Sequence, residues 1–340
     1  MIKEAISQIV EGRDLTENEM VAVMNEIMTG VCTDAQIGAF ITALRMKGET
    51  VAEITGAARV MREKAVTIDA GAANGVLMDI VGTGGDASGT FNVSTTSAFV
   101  VAGAGVPVAK HGNRSISSHC GSADVLEALG VDLGMSPEHI GLCVRQVGIG
   151  FMFAPMMHGA MKYAIGPRRE IAIRTIFNIL GPLTNPAAAN TYLLGVYEAD
   201  LTEKIAWTLY NFGVRRALVV CGDGNIDEIT TTGKTKISEV GQDGVTTSYI
   251  TPEEVGLPRV ELVELQGGKT AEESAEQLRS VLQGEPGPRY DMVALNAGAA
   301  LLAAQKVKKL QEGLAMAAET IASGAALAKL EDLVDFCKNN

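Results

Sequence analysis

Asp79-Ile80-Val81-Gly82-Thr83-Gly84-Gly85-Asp86, followed closely by Asn92-Val93-Ser94-Thr95-Thr96-Ser97, is the stretch that decides the reading of this chain. The apolar run Leu77 to Val81 has strand character and leads straight into a glycine cluster. The hydroxyl-rich run after it has the character of a helix start. Glycines free backbone N–H groups, a helix mouth adds its own, and the two together make an anion site. Asp86 inside such a site calls for a metal ion or a polar ligand group there as well. The next strand ends in a similar way, because Val106-Pro107-Val108-Ala109 leads into Lys110-His111-Gly112-Asn113-Arg114-Ser115. If both loops face one crevice, one glycine-rich and one basic, they describe a site for a phosphate-bearing ligand.

Outward from these loops, the rhythm is that of strands alternating with helices. Strands are expected at 77–81, 106–109, 217–221 and 292–296, and helices at 94–104, 121–129, 137–146, 201–212, 271–282 and 297–311. That alternation predicts an α/β fold, a mainly parallel sheet with helices on both faces and a ligand beyond the strand C-termini. The first 66 or so residues read differently. Three capping boxes, Thr16 with Glu19, Thr33 with Gln36 and Thr50 with Glu53, mark helix starts. Apolar residues follow at helical spacing, and Gly30 and Gly48 sit where helices end. The expected organisation is a small all-helical domain over 1–70 and a large α/β domain over 71–166 and 189–340. The interruption at 167–188 reads as helix and turn packed back on the helical unit.

Composition narrows the function classes. The 340 residues are 47% hydrophobic and carry a net charge of −12. A sizeable core is expected, and the acidic balance argues against a nucleic-acid binder, which needs a basic face. A small anionic substrate remains open, because individual loops can be basic. Cys32, Cys120, Cys143, Cys221 and Cys337 are odd in number and never in a CxxC pair, the pattern of reduced cytosolic thiols. No signal-peptide core opens the chain and no apolar run reaches the roughly 20 residues of a membrane span, so a cytoplasmic location without membrane contact is expected.

Each loop has a plainer reading beside the functional one. Gly82 to Ala87 also fits a loose dinucleotide fingerprint, but that needs an acid at the end of the next strand, where Lys110 stands instead. Lys110-His111-Gly112-Asn113-Arg114 alone could be a solvated loop; its place after a buried strand favours Lys110 as a phosphate charge and Asn113 as an orienting amide. Asp227 and Glu228, beyond the strand 217–221, could hold Mg²⁺ or be acidic loop residues of an acidic protein. The four histidines, His111, His119, His139 and His158, show no metal spacing, and no covalent or acid–base machinery is visible.

Taken together these segments resemble the anthranilate phosphoribosyltransferase family of tryptophan biosynthesis, over nearly the whole chain. The carriers are GTGGD (82–86), NVST (92–95), KHGNR (110–114), GSADVLEALG (121–130), RTIFNILGPLTNP (174–186), DE (227–228) and NAGAALL (296–302). Gly159 after His158 departs from the family's usual proline. The resemblance implies transfer of phosphoribose from phosphoribosyl pyrophosphate to the amine of anthranilate, with Mg²⁺, by a homodimer joined through the helical domain. It implies that Gly82, Gly85, Asp86, Thr90, Asn92, Ser94, Thr95, Lys110, Ser118 and Ser122 hold phosphoribosyl pyrophosphate. It assigns Gly82, Asn113 and Arg168 to anthranilate, with His111 and His158 as weaker members, and Ser94, Asp227 and Glu228 to the metal. A pyrimidine nucleoside phosphorylase of the same fold is the nearest alternative, and a non-catalytic nucleotide- or nucleic-acid-binding relative a further one.

Overall fold

The computed structural model describes residues 1–71, 75–115 and 120–339. Helices α1 (Ile2–Val10), α2 (Glu17–Met28), α3 (Asp34–Lys47) and α4 (Val51–Lys64) form the amino-terminal unit. All three expected capping boxes are present, with Thr16, Thr33 and Thr50 each accepting a bond from the N–H three residues on. Gly48 ends α3 at φ 89°, the left-handed conformation that glycine adopts at least cost. Helix α2 packs on α4 and α3 on α1, and Met20, Val23, Met24 and Ile27 of α2, Phe40, Ile41 and Leu44 of α3 and Ile54 of α4 are all fully buried.

One carboxylate ties this unit together. Glu53 is fully buried and accepts bonds from the N–H groups of Leu15 (2.9 Å) and Thr50 (2.8 Å) while pairing with Lys47 at 3.0 Å.

Beyond it the chain forms β1 (Met78–Gly82), α5 (Val93–Gly103), β2 (Val108–Gly112), α6 (Ser122–Ala128), α7 (Pro137–Val147) and β3 (Ile149–Phe153). The short helix α8 (Ala154–Met157), then α9 (Lys162–Ile171) and α10 (Phe177–Leu180), lead to β4 (Thr191–Gly195), α11 (Leu201–Asn211) and β5 (Arg216–Gly222). Two further strands, β6 (Thr235–Gly241) and β7 (Gly244–Ile250), precede helices α12 (Ala271–Leu282), α13 (Pro288–Ala303), α14 (Leu310–Ala322) and α15 (Ala325–Asn339). Helix α9 packs on α2 and α3, and α10 on α4, so this middle segment returns to the helical unit.

The seven strands lie in the order β3-β2-β1-β4-β5-β6-β7. The first five run parallel, and β6 and β7 add an antiparallel edge. Successive strands build away from β1 on one side and from β4 on the other. The order therefore reverses between β1 and β4, the place where open α/β sheets bind ligands beyond their strand ends.

Two expectations about elements are corrected. Residues 292–296 are not a strand but the middle of α13, and the helix expected at 297–311 is two helices, because α13 ends at Ala303 and α14 begins at Leu310. Met292, Val293, Leu295, Ala297 and Leu301 are all buried, so α13 is apolar around its circumference and shows no polar face. An apolar run of five residues has the same pattern in a buried strand and a buried helix. Strands β3, β4, β6 and β7 lie outside the expected strands.

Replacing Glu53 by Ala leaves two buried N–H groups and Lys47 without this partner. We expect the unfolding midpoint of the helical unit in guanidinium to fall by the equivalent of about 3 kcal/mol.

Candidate active site

Gly82 and Gly195 end β1 and β4 and are paired across the switch point. Neither tolerates a side chain: a Cβ on Gly82 would lie 2.3 Å from Oδ2 of Asp227, and one on Gly195 would lie 1.5 Å from the Asp227 carbonyl oxygen. The two glycines thus form a floor on which the loop after β5 is laid. That loop carries Asp227 and Glu228 over the crevice. Asp227 Oδ2 accepts the N–H of Gly84 at 2.7 Å, and Glu228 Oε1 accepts the N–H of Ser94 in the first turn of α5 at 3.1 Å. The carboxylates therefore sit on the very amides of the glycine loop and the helix mouth.

The glycine loop is shaped for this approach. Gly84 and Gly85 have φ of 65° and 70°, and Ala87, a non-glycine, is held at 60°. Asp86 is fixed by Ser88, which donates to its two oxygens from N–H (3.3 Å) and hydroxyl (2.5 Å). The Thr90 N–H donates to the Ser88 hydroxyl oxygen, and the Asn92 side chain donates to the Cys120 carbonyl at 3.2 Å. The guanidinium of Arg174 reaches back to the Gly85 carbonyl and lies over the Tyr197 ring.

Burial and mutual repulsion dominate the electrostatics. Burial pushes the Asp227 carboxyl far above its ordinary range, and the neighbouring Asp86 charge pushes it further. Glu228 is raised well above the usual value by burial and then by Asp227. Such a set of oxygen donors suits a hard divalent cation, which would relieve the repulsion that raises them. Among the described residues no group of three or more His, Cys, Asp or Glu side chains is already closed around a metal position.

Lys110 stands beneath this cluster rather than at the surface. It is 3% exposed, and its Nζ donates to the Ile80 carbonyl at 2.6 Å and to Oγ of Ser94 at 3.4 Å. The charges of Asp79, Glu228 and Asp227 offset its burial, so it acts as the internal counter-ion of the carboxylates. Thr95 is buried in α5. On the β2 side, Asn113 is exposed and its carbonyl accepts the Ser122 hydroxyl at 3.2 Å, while Arg114 is committed to Asp124 and Glu127. Ser118 and His119 lie outside the described residues.

A second cluster gathers at the β2 and β3 ends. Nε2 of His111 and Nε2 of His158 are 3.2 Å apart, and both rings are buried. Arg168, on α9, lies over the Phe177 ring with its guanidinium carbon 5.3 Å from the centroid. Burial lowers its affinity for its proton, and among the described residues no carboxylate pairs with it.

Three residues with work at this site had no role in the sequence reading. Asn296 of α13 accepts the Ile229 N–H at 3.0 Å and donates to the Ile229 carbonyl at 2.8 Å, clamping the residue next to Glu228. Asp79, wholly buried in β1, accepts from the Asn185 amide at 2.7 Å and the His111 N–H at 3.2 Å. Gly195 supplies half of the floor. A charged residue inside an apolar strand was the one available signal for Asp79, and Asn296 stood in a stretch already noted as NAGAALL.

A paired-glycine floor at the switch point, amides for an anion, clustered carboxylates and a buried lysine together define a phosphate-ester transferase that works with a divalent cation. Residues 3–65 match the helical bundle domain of the glycosyl transferase family, and residues 74–327 match its a/b domain. The anthranilate phosphoribosyltransferase of Desulfotalea psychrophila is 60% identical over 98% of this chain and 97% of its own length. That of Trichlorobacter lovleyi is 56% identical over 98% and 99%. Among solved structures, anthranilate phosphoribosyltransferase from Thermus thermophilus superposes with a TM-score of 0.92 at 45% identity, covering 98% of this chain and 99% of that one. The Saccharomyces cerevisiae enzyme in complex with PRPP and Mg superposes with a TM-score of 0.89 at 28% identity, covering 100% and 98%. The chain belongs to the anthranilate phosphoribosyltransferases of this glycosyl transferase family.

Two outcomes follow from the loop geometry. Asn296→Ala leaves the buried Ile229 N–H and carbonyl unpaired, so we expect a stability loss of about 2 kcal/mol together with a raised Mg²⁺ requirement for turnover. The raised Asp227 and Glu228 carboxyls mean that the folded, metal-free protein holds protons the unfolded chain releases. Its melting temperature in chelator should therefore fall as pH rises from about 5 through about 7, and saturating Mg²⁺ should flatten that slope.

Proposed function

We propose that this chain transfers the phosphoribosyl group of 5-phosphoribosyl 1-pyrophosphate to the amine of anthranilate, releasing pyrophosphate. The observation that carries the reading is the contrast between two ends of one site. At one end, buried carboxylates seated on the glycine-loop and helix-mouth amides suit a metal-bound polyanion; at the other, a half-buried guanidinium has no carboxylate partner among the described residues. Gly82, Gly85, Asp86, Thr90, Asn92, Ser94, Thr95 and Ser122 line or support the polyanion end, with Lys110 compensating its charge from below; Ser118 is assigned with them. Arg168 takes the anthranilate carboxylate, and Gly82, Asn113, His111 and His158 shape the space around the ring.

Asp227 and Glu228, with the Ser94 hydroxyl beside them, would hold Mg²⁺, whose chemistry there is to neutralise the pyrophosphate as it leaves. The protein's own share is placement: the glycine loop and the start of α5 fix the polyanion, Arg168 fixes the acceptor and the floor brings the two together. The names of the relatives favour this reaction over a nucleoside phosphorylase.

We divide the chain into a helical domain over 1–70, with 167–188 against it, and an α/β domain over 71–166 and 189–340. A homodimer through the helical domain accords with the open groove between α3 and α9, where Ala35, Ala39 and the 84% exposed Met46 face Pro167 and Ile171. A cytoplasmic site accords with five free thiols.

The test is loss of anthranilate fluorescence with phosphoribosyl pyrophosphate and Mg²⁺ present and each omitted in turn. Consumption only in the complete mixture supports the reading; phosphorolysis of thymidine or uridine without Mg²⁺ overturns it. Arg168→Ala should raise the anthranilate KM roughly 10-fold or more while sparing that of the other substrate, and equal changes in both would refute its assignment.

A further inference from the structure

Arg174 stands in the turn between α9 and α10, and its guanidinium is spent on backbone and ring rather than on a carboxylate. It donates to the Gly85 carbonyl, and its guanidinium carbon lies 4.4 Å from the Tyr197 ring centroid. Among the described residues no carboxylate pairs with it. Both ends of this contact are anchored. The Thr175 N–H beside Arg174 donates to the Asn178 side chain at 3.0 Å, and Tyr197 is buried just past β4.

The glycine loop shows what the bond to Gly85 holds. The first part of the loop is tied to the sheet and to the β5 loop. The Thr83 N–H donates to the Gly195 carbonyl at 2.9 Å, its hydroxyl oxygen accepts the Tyr197 N–H at 3.2 Å, and Gly84 is bonded to Asp227. The last part is tied to the segment before α12. There Gln266 donates to the Ser88 carbonyl at 3.0 Å, and the Gly267 N–H to the Gly89 carbonyl at 2.9 Å. Between these anchors, and among the described residues, the backbone of 85–87 bonds to another element only through Arg174. The N–H groups of Gly85, Asp86 and Ala87 have no acceptor among those residues.

The Gly85 carbonyl and the Asp86 N–H belong to one trans peptide and point opposite ways. Glycine on its carbonyl side leaves that peptide free to turn over at little steric cost. Holding the carbonyl therefore fixes the direction of the N–H, within a run of unpaired amides of the kind that receives anions. We propose that Arg174 is a positioning residue for the polyanion substrate: through the Gly85 carbonyl it keeps the amides of 85–87 set for phosphoribosyl pyrophosphate. The inference rests on the substrate assignment above. Arg174 follows Arg168 on the same middle segment, so one segment carries both the partner of the acceptor carboxylate and the clasp of the polyanion loop.

Inorganic pyrophosphate with Mg²⁺ is the probe, because its binding needs no turnover. Arg174→Ala should bind it roughly 10-fold more weakly than the wild-type chain by calorimetry. The KM for phosphoribosyl pyrophosphate should rise by a similar factor while that for anthranilate is spared. Arg174 is exposed, so the melting temperature should stay unchanged. Hydrogen exchange without ligand separates positioning from direct contact with the anion. The bonded amides of Gly84 and Ser88 should exchange several-fold faster in Arg174→Ala. Unaltered exchange, or pyrophosphate affinity equal to that of the wild-type chain, overturns the proposal. A wild-type chain that binds pyrophosphate yet leaves anthranilate untouched would instead sink the acceptor assignment, while the comparison with Arg174→Ala still decides the role of Arg174.

Discussion

Laying two acidic side chains over the β1–β4 crevice is the constraint from which the rest of this site follows. Asp227 lies where a side chain on Gly82 or Gly195 would be, so the pair of strand ends must be glycine before any ligand arrives. Burying two adjacent carboxylates is costly, and the fold offsets it with Lys110 from below and with amide donors from Gly84 and Ser94. Each offset is local and polar, which fixes the β5 loop, the glycine loop and the start of α5 relative to one another. A divalent cation would complete the same charge balance from above.

The supporting shell lies largely in elements with no chemistry of their own. Helix α13 is an apolar rod through the core, yet its single buried amide, Asn296, holds the backbone next to Glu228. Asp79 does comparable work across the sheet, joining β1 to the His111 N–H directly and to β2 through Asn185, whose amide also meets the Ala109 carbonyl. Such contacts restrict the groups that line the crevice to one arrangement, which is what a reaction relying on placement requires. The middle segment, packed on α2, α3 and α4, carries Arg168, and His158 ahead of it meets His111 of β2.

Much of this was legible in the residues themselves. The capping boxes located α2, α3 and α4, because the cap is a bond between a residue and one three positions on. The glycine cluster and the hydroxyl-rich helix start announced an anion site for the same reason: both are local backbone properties. Arg168 was named from the family resemblance alone, whereas the Asp227–Glu228 pair was already read, beside a plainer alternative, as adjacent carboxylates beyond a strand end. The strand expected at 292–296 failed because five apolar residues satisfy a buried helix as well as a buried strand. Lys110 was expected among the phosphate contacts; the tertiary structure adds that its ammonium bonds the Ile80 carbonyl and the Ser94 hydroxyl.

The sequence alone determined the mixed class of the fold, its two strand-end loops and the residue types gathered there, since these depend on neighbours along the chain. Tertiary structure alone decided that Gly195 shares a floor with Gly82, that Asn296 clamps the loop after β5, that Lys110 faces inward and that His111 meets His158. Those relations join positions tens of residues apart, and in the two histidines' case 47 apart. Local patterns carry no information about which distant groups close packing will bring within hydrogen-bond reach, and here the order of strands in the sheet set those pairings.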